Sequence, residues 1–360
     1  SLNRVSSLTV TASSAPATLA YAYDALGRTT EVTLKNSAGN VIRSETYGFL
    51  PGTTPNSTTA LVSSVTDGDG TVWTYAYDAS GNITEICKNG ALQERYTYDF
   101  LSRLVRHDSV TQNKTYGWTY DGSGNIVSRS EYGYTTEALG SAAATVIYTY
   151  GDSTWGDLLT GYDGQTITYD EIGNPLTYRG MTMTWEQGRR LKTLTRNGTT
   201  YTYTYNADGI RTSVTNGTSV TYFEQDGSRI RYRKAGNELT QFLYDDRDSV
   251  LGMVWNGQTY FFKKNLQGDV VSLLHGDGTV AGTYTYDAWG KGKIASYDSL
   301  SDLTAMALNP FRYRGYYYDN ETGFYYVSSR YYDPEIGRWI NADDAIAGVG
   351  GDIRGYNLFA

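Results

Sequence analysis

Several features are scarce in this 360-residue sequence, and each scarcity excludes a class of protein. A single cysteine, Cys87, allows no internal disulfide framework, and six prolines leave no Pro-rich linker. His107 and His275 stand alone, without Cys or acidic clusters at metal-ligand spacing, so we expect no metal and no other cofactor. The formal net charge of −8 gives no basic footprint and disfavours nucleic acid as a partner. No apolar run approaches the roughly 20 residues of a membrane-spanning helix.

The abundant residues are those of β-sheets and turns. The chain is 14% aromatic, with 35 tyrosines against nine phenylalanines, and it contains 40 glycines. Tyrosine, threonine and valine fit pleated, half-buried surfaces, while glycine supplies turns. The composition therefore predicts an all-β fold.

A short motif recurs along the chain. Residues 21–28 have the form Tyr-x-Tyr-Asp-x-x-Gly-Arg, and related copies follow at 75–82, 96–103, 118–125, 167–174, 203–210 and 284–291. Asp78 precedes Asp99 by 21 residues, and Asp99 precedes Asp121 by 22. That period suits two strands and two turns, so each copy marks one hairpin unit.

Each part of the motif has a physical reason. Side chains alternate along a strand, so Tyr21 and Tyr23 share one face. The next residue, Asp24, can accept hydrogen bonds from the backbone of the turn, and Gly27 tolerates a left-handed conformation there. Asn-Gly pairs at 89–90, 197–198, 216–217 and 256–257 predict tight hairpins between the units. The sequence thus predicts a long antiparallel meander.

Two stretches are less regular. Residues 48–60 contain two prolines and are predicted to form a loop. Residues 301–308 could form one or two helical turns with Ser301 as the N-cap. No shift in composition marks a domain boundary, which favours one continuous unit.

The motif is densest in residues 311–344, where eight of 34 residues are tyrosine. The segments 311–316 (Phe-Arg-Tyr-Arg-Gly-Tyr) and 330–341 (Arg-Tyr-Tyr-Asp-Pro-Glu-Ile-Gly-Arg-Trp-Ile-Asn), together with the earlier Tyr-Asp turns, resemble the Rhs/YD-repeat family. Residues 309–360 resemble the repeat-associated core of that family, and 265–290 resemble the segment that usually precedes it. The resemblance covers nearly the whole chain.

The resemblance implies a β-sheet that spirals into a hollow shell. In bacterial Rhs toxins and insecticidal toxin complexes such a shell encloses a variable C-terminal toxin, and related shells form the extracellular body of teneurins. We therefore expect a YD-repeat shell over 1–308 and a repeat-associated core over 309–360, truncated at its C-terminus. The expected partner is a C-terminal toxin or effector segment, together with strands or a further chain that complete the shell. The expected location is secreted or on a bacterial cell surface, with this sequence a fragment that begins without a signal peptide.

In many family members the core also cuts the chain just downstream, by a mechanism like that of aspartyl proteases. Two carboxylates must then lie close enough to share a proton. The candidates here are Asp343, Asp344 and Asp352, with Arg338 as a charge partner. Alternatively, these aspartates cap turns. Where the family usually has Asp-Pro, Asp344 is followed by Ala345, and no downstream Asp-Pro-x-Gly is present, so we expect cleavage only in a longer protein.

The tyrosines leave a further alternative open. They could stack on sugars and make the chain an adhesion or carbohydrate-binding module, or they could hold the sheet together as cross-strand pairs. Their recurrence at every turn favours the structural role, since a binding site would concentrate aromatic residues in one patch.

Overall fold

The computed structural model describes residues 4–10, 16–328, 330–343 and 359. Two sheets of 14 strands each account for most of them. The first sheet consists of Ser7–Val10 (β1), Ala17–Tyr23 (β2), Thr29–Asn36 (β3), Val41–Pro51 (β4), Thr58–Asp67 (β5), Val72–Tyr77 (β6), Ile83–Lys88 (β7), Ala91–Tyr98 (β8), Leu104–Ser109 (β9), Lys114–Tyr120 (β10), Ile126–Gly133 (β11), Ala144–Thr149 (β12), Gly161–Tyr162 (β13) and Gln165–Thr166 (β14).

The second sheet consists of Thr168–Tyr169 (β15), Pro175–Tyr178 (β16), Met181–Glu186 (β17), Arg190–Arg196 (β18), Thr199–Tyr205 (β19), Arg211–Thr215 (β20), Val220–Asp226 (β21), Arg229–Ala235 (β22), Glu238–Tyr244 (β23), Val250–Trp255 (β24), Gln258–Lys264 (β25), Val270–His275 (β26), Val280–Tyr286 (β27) and Gly292–Tyr297 (β28). A helix, Leu300–Leu308 (α1), and a 3-10 turn, Tyr313–Gly315, follow. A third sheet contains Tyr317–Asp319 (β29), Phe324–Val327 (β30), Arg330–Asp333 (β31) and Arg338–Trp339 (β32).

Every sheet is an antiparallel meander in which strands pair in the order of the sequence. The predicted all-β meander is therefore confirmed. The two long sheets meet at Ile167, between β14 and β15, where the N–H still bonds to the carbonyl of Thr160, the residue before β13. We call β1–β28 the wall and β29–β32 the inner sheet.

The wall closes on itself. In the second sheet, side chains alternate between two faces, so Phe242 and Phe262 belong to one buried cluster while Phe261 belongs to another. This second cluster also contains Leu19 and Leu34, which come from the first strands of the chain. Strands β1–β4 thus pack on the outer face of β23–β26, and the wall winds round once and overlaps its own end. This closure confirms the predicted spiral.

Polar contacts reinforce the overlap. The hydroxyl of Tyr21 donates to Asp246 at 2.6 Å, and the side chain of Asn36 donates to the carbonyl of Gly276 at 3.3 Å. A Cβ at Gly278 would lie 2.9 Å from the carbonyl oxygen of Ile42, so the two layers approach too closely for a larger residue there. The overlap is a packed interface.

The inner sheet lies on the other face of the wall. Phe311 and Phe242 meet edge to face with ring centroids 4.9 Å apart, and Phe324 meets Tyr178 in the same way at 5.8 Å. One continuous buried cluster joins the second half of the first sheet, the second sheet and residues 311–340. The wall therefore wraps around the inner sheet.

Two local predictions were wrong. Helix α1 is capped by Ser299 and not by Ser301: Ser299 has extended backbone angles, and its hydroxyl accepts from the N–H of Asp302 at 3.1 Å. The loop predicted for 48–60 is confined to 52–57, because bulges let β4 run on to Pro51.

No helix in the described ranges is long and apolar enough to cross a membrane.

Candidate functional site: the interface between the wall and the inner sheet

The Tyr-Asp turns that edge the wall are built around the aspartate. In one turn, Oδ1 of Asp99 accepts from the N–H groups of Leu101 and Arg103, at 2.9 and 3.0 Å, while Oδ2 accepts from Arg103 Nε at 2.7 Å. The same capture of Oδ1 by two N–H groups recurs at Asp78, Asp121, Asp170, Asp245 and Asp287. Each of these carboxylates accepts hydrogen bonds from the backbone of its own turn, as expected for a capping role.

The tyrosine before each aspartate links one repeat to the preceding one. The hydroxyl of Tyr98 donates to the carbonyl of Ile83 at 3.0 Å, and a register shift between Thr97 and Tyr98 marks a bulge at this position. Equivalent bonds from tyrosine hydroxyls to backbone carbonyls are made by Tyr77, Tyr120, Tyr205, Tyr244 and Tyr286. Phenylalanine has no hydroxyl with which to make this bond. The structural role predicted for the tyrosines is consistent with these bonds, which use hydroxyls that a sugar would otherwise contact.

A fully buried ion pair joins the wall to β29. Arg211 in β20 donates to both carboxylate oxygens of Asp319, at 2.6 and 2.8 Å, and neither side chain is more than 2% exposed. Burial opposes the charge of Arg211, yet the adjacent Asp319 raises the Arg211 pKa well above its usual value. The guanidinium also lies over the ring of Tyr326, 4.1 Å from its centroid. The pair anchors the inner sheet at one point.

A second ion pair, in which the aspartate is buried and the arginine partly exposed, holds β31. Asp333 is completely buried and accepts from Arg179 at 2.5 Å and from the hydroxyl of Tyr178 at 3.1 Å. Burial raises the pKa of Asp333, and Arg179 opposes that change. Arg179 and Gly180 form a two-residue hairpin turn with φ of 48° and 75°, where other hairpins carry Asn-Gly. A left-handed conformation is strained for a residue other than glycine, so an arginine at this position indicates that its side chain has a role there.

The turn after β31 binds the first sheet. Arg129 donates to the carbonyl of Glu335 at 2.9 Å and to its carboxylate at 3.2 Å. Tyr148 donates to the carbonyl of Ile336 at 3.2 Å. Because Arg129 and Tyr148 belong to the first sheet and Arg179 to the second, one short turn holds both halves of the wall.

Arg338, one of the candidates for self-cleavage, lies in this interface. It is buried and donates to Asn125 Oδ1 at 3.1 Å, to the hydroxyl of Tyr150 at 2.6 Å and to the carbonyl of Asp157 at 2.9 Å. Asn125 is itself the last residue of a Tyr-Asp turn, bonded to Asp121. Arg338 therefore ties the inner sheet to the wall.

Asp343 lies just beyond β32. Its carboxylate pairs with Arg330 at 3.0 Å and is about one third exposed. Arg330 in turn lies over the ring of Trp339, 4.1 Å from its centroid. The other two candidate carboxylates, Asp344 and Asp352, lie outside the described residues.

Sequence reasoning missed the two arginines of the wall that pair with aspartates of the inner sheet. Arg211 and Asp319 are 108 residues apart, and Arg179 and Asp333 are 154 apart, distances over which no motif spacing operates. The one local signal was Arg179-Gly180, an arginine in a place where a tight hairpin turn favours asparagine.

Comparisons with known proteins agree with the geometry. The family model described as Teneurin YD-shell matches residues 228–348, and that described as RHS Repeat matches 61–92. The tRNA3(Ser)-specific nuclease WapA of Bacillus spizizenii is 31% identical over 271 residues, which are 73% of this chain and 11% of WapA. Double-stranded DNA deaminase toxin A of Burkholderia cenocepacia is 23% identical over 335 residues, 80% of this chain and 22% of the toxin.

A solved structure shares the fold. The crystal structure of TcdB2-TccC3-Cdc42 superposes with a TM-score of 0.65 at 18% identity, over 96% of this chain and 20% of that one. The chain thus spans between about a tenth and a fifth of the length of each of these proteins.

Proposed function

We propose that this chain, which belongs to the Rhs/YD-repeat family, forms part of the wall of a shell that encloses or presents a C-terminal toxin or effector polypeptide. The protein that carries it would be secreted by a bacterium or displayed on its surface. Further strands or another chain would complete the shell. Two relatives bear the names of a nuclease and of a deaminase toxin, which supports a toxic cargo.

The observation that carries the proposal is the overlap of the wall. Val10, Leu19 and Leu34 of the first strands are buried against Leu251 and Phe261 of the second sheet. A sheet that packs on its own outer face separates an inside from an outside. Such a barrier is what an unfolded or toxic polypeptide requires.

We assign residues 1–308 to this shell and 309–360 to a core that binds the inner face of the wall. The ion pairs at the buried Asp319 and Asp333 bind the inner sheet to separate strands of the wall. The core would thereby fix the curvature of the wall on one side of the enclosed space.

Protection from proteolysis tests the shell. In the longer native polypeptide, we expect the segment downstream of residue 360 to resist proteinase K while the wall is intact. Phe261→Asp places a charge in the dry overlap, where Phe261 is 0% exposed, and should make that segment cleavable. Tyr222→Asp, on an exposed side chain of the wall, is the matched control.

If the downstream segment is digested equally in wild-type protein and both variants, the shell proposal fails. Leu251→Ala is a milder change in the same overlap. If Phe261→Asp does not fold, cleavage of the downstream segment is compared between Leu251→Ala and the wild-type protein. Circular dichroism separates loss of the overlap from loss of the sheets.

We also propose that the core cleaves the longer polypeptide, with Asp343, Asp344 and Asp352 as candidate carboxylates and Arg338 as their candidate charge partner. The supporting observation is that Asp343 lies at the end of the inner sheet with its carboxylate held by Arg330. Asp343→Asn and Asp344→Asn should each abolish cleavage when the longer polypeptide is expressed. Intact cleavage in both variants contradicts this assignment, whereas the proteolysis experiment on the shell is unaffected by it.

A further inference from the structure

A cavity lies next to the overlap, where the two layers of the wall separate. Its volume is about 600 Å³, within the range of small-ligand sites. One side is formed by β4–β8 and the other by β25–β27 with their connecting turns. It is distinct from the interface between the wall and the inner sheet.

Two carboxylates face each other at one end of this cavity. Glu45 in β4 and Asp67 in β5 are direct cross-strand partners, a pairing that is unfavourable for like charges. Both are buried, at 3% and 7% exposure. Glu94, Asp269 and Asp287 also line the cavity, but their carboxylates already have hydrogen-bond partners: His107 and Thr111 for Glu94, Asn265 and the N–H of Arg314 for Asp269, and the N–H groups of Trp289 and Lys291 for Asp287. Three lysines line the cavity as well.

The lysines have other partners. Lys263 pairs with Asp67 at 2.6 Å, Lys264 donates to Ser249 at 2.5 Å, and Lys88 lies over the ring of Trp73 at 5.5 Å. None of these three contacts satisfies the second oxygen of Glu45.

Three buried acceptors in the cavity wall have no hydrogen-bond partner among the described residues. They are Glu45 Oε2, Gln267 Oε1 and Thr285 Oγ1. Arg43 reaches only the other oxygen of Glu45, at 3.1 Å. A buried carboxylate oxygen without a donor is costly, and a charged donor is the group that would relieve the cost most.

Aromatic rings flank the same end of the cavity. Tyr47, Trp73 and Tyr75 line it, and the indole N–H of Trp73 bonds to Asp67 at 3.1 Å. Rings beside carboxylates favour cations, since a cation is attracted both by the ring face and by the negative charge. Carboxylates, unfilled acceptors and rings thus point to one ligand chemistry.

We propose that this cavity binds an alkylguanidinium or alkylammonium group, with Glu45 as its principal charge partner. The group is either a small amine or guanidine in solution or an arginine or lysine side chain of a polypeptide that lies against the wall. The guanidinium form carries several donors in one plane, so it can bond Glu45 Oε2 and a second acceptor at once.

Calorimetric titration with L-argininamide tests the proposal, and L-citrullinamide is a neutral ligand of matched shape. We expect saturable binding of L-argininamide and none of L-citrullinamide. Glu45→Gln keeps the side-chain size and should weaken binding about tenfold or more, the effect of losing one charge-assisted hydrogen bond. Glu238→Gln, at an exposed acid of the wall, should leave binding unchanged.

The two sources are distinguished with the peptide acetyl-Gly-Arg-Gly-amide. Tighter binding of the peptide than of L-argininamide indicates a polypeptide ligand, and the reverse indicates a small molecule. Equal binding of L-argininamide and L-citrullinamide, no binding of either, or an unchanged affinity in Glu45→Gln overturns the proposal. If Glu45→Gln does not fold, Thr285→Val removes a different acceptor and should weaken binding of L-argininamide in the same way.

Discussion

Glu321 makes the stability of the inner sheet depend on pH in a direction opposite to that of most carboxylates. It lies in the turn between β29 and β30, two residues from Asp319. Burial first, and the negative charge of Asp319 second, raise the pKa of Glu321 from 4.5 to about 7. Arg211 opposes the change but is already engaged by Asp319 on both of its outer nitrogens.

The sign follows from linkage. The folded protein favours the neutral form of Glu321, so its contribution to stability is fully present below pH 4.5 and is lost as the pH rises to about 7. The difference between the two pKa values corresponds to at most about 3 kcal/mol. Because the side chain retains some exposure, we expect about 1–3 kcal/mol.

The perturbation is Glu321→Gln, which preserves the shape and removes the titration. Urea unfolding at pH 4.5, 6 and 8 should show that the variant is close to wild type at pH 4.5 and more stable by about 1–3 kcal/mol at pH 8. Glu238→Gln, on an exposed side chain, is the control and should show no such trend. A variant whose stability relative to wild type is the same at all three pH values would refute the reasoning.

Three further predictions concern the contacts that hold the wall and the inner sheet. Asp319→Asn leaves the charge of Arg211 buried without its counterion and should lower the free energy of unfolding by about 3–5 kcal/mol in urea titrations; a loss below about 1 kcal/mol contradicts the role of the pair. Tyr98→Phe removes one hydroxyl bond to Ile83 and should cost about 0.5–1.5 kcal/mol, whereas Tyr222→Phe, on an exposed ring, should cost almost nothing. Leu19→Ala creates a cavity in the overlap and should cost about 2–5 kcal/mol; tryptophan fluorescence during urea unfolding measures it, and an unchanged midpoint would show that the overlap contributes little.

Local chemistry made much of the fold readable from the sequence. The tight hairpins predicted at the Asn-Gly pairs 89–90, 197–198 and 256–257 join β7 to β8, β18 to β19 and β24 to β25, since alternation and turn residues act over a few positions. The same local reasoning placed the cap of α1 two residues late, because Ser299 and Ser301 are chemically alike and only the backbone angles at Ser299 select it. The same reasoning predicted a loop from residue 48, whereas β4 continues to Pro51. The bulges that extend the strand past Gly48 are not visible in the residue composition.

The candidate site was less readable. Arg338 was named as a charge partner of the core aspartates, but its described contacts tie the inner sheet to Asn125 and Tyr150 in the wall. The sequence did not identify Arg179 and Arg211 as residues that bind the inner sheet, since each differs from other arginines only in the side chains that it contacts in the folded protein.

The sequence by itself determined the repeating unit: a strand, an Asp-capped turn and a returning strand, with a tyrosine to link consecutive units. Those interactions span at most a few tens of residues and depend on residue type alone. Only the tertiary structure decided how far the sheet curls, that β1–β4 return to the outer face of β23–β26, and which arginines meet Asp319 and Asp333. The physical reason is that curvature is the sum of many small twists between strands, and its outcome is fixed by contacts between residues more than a hundred positions apart.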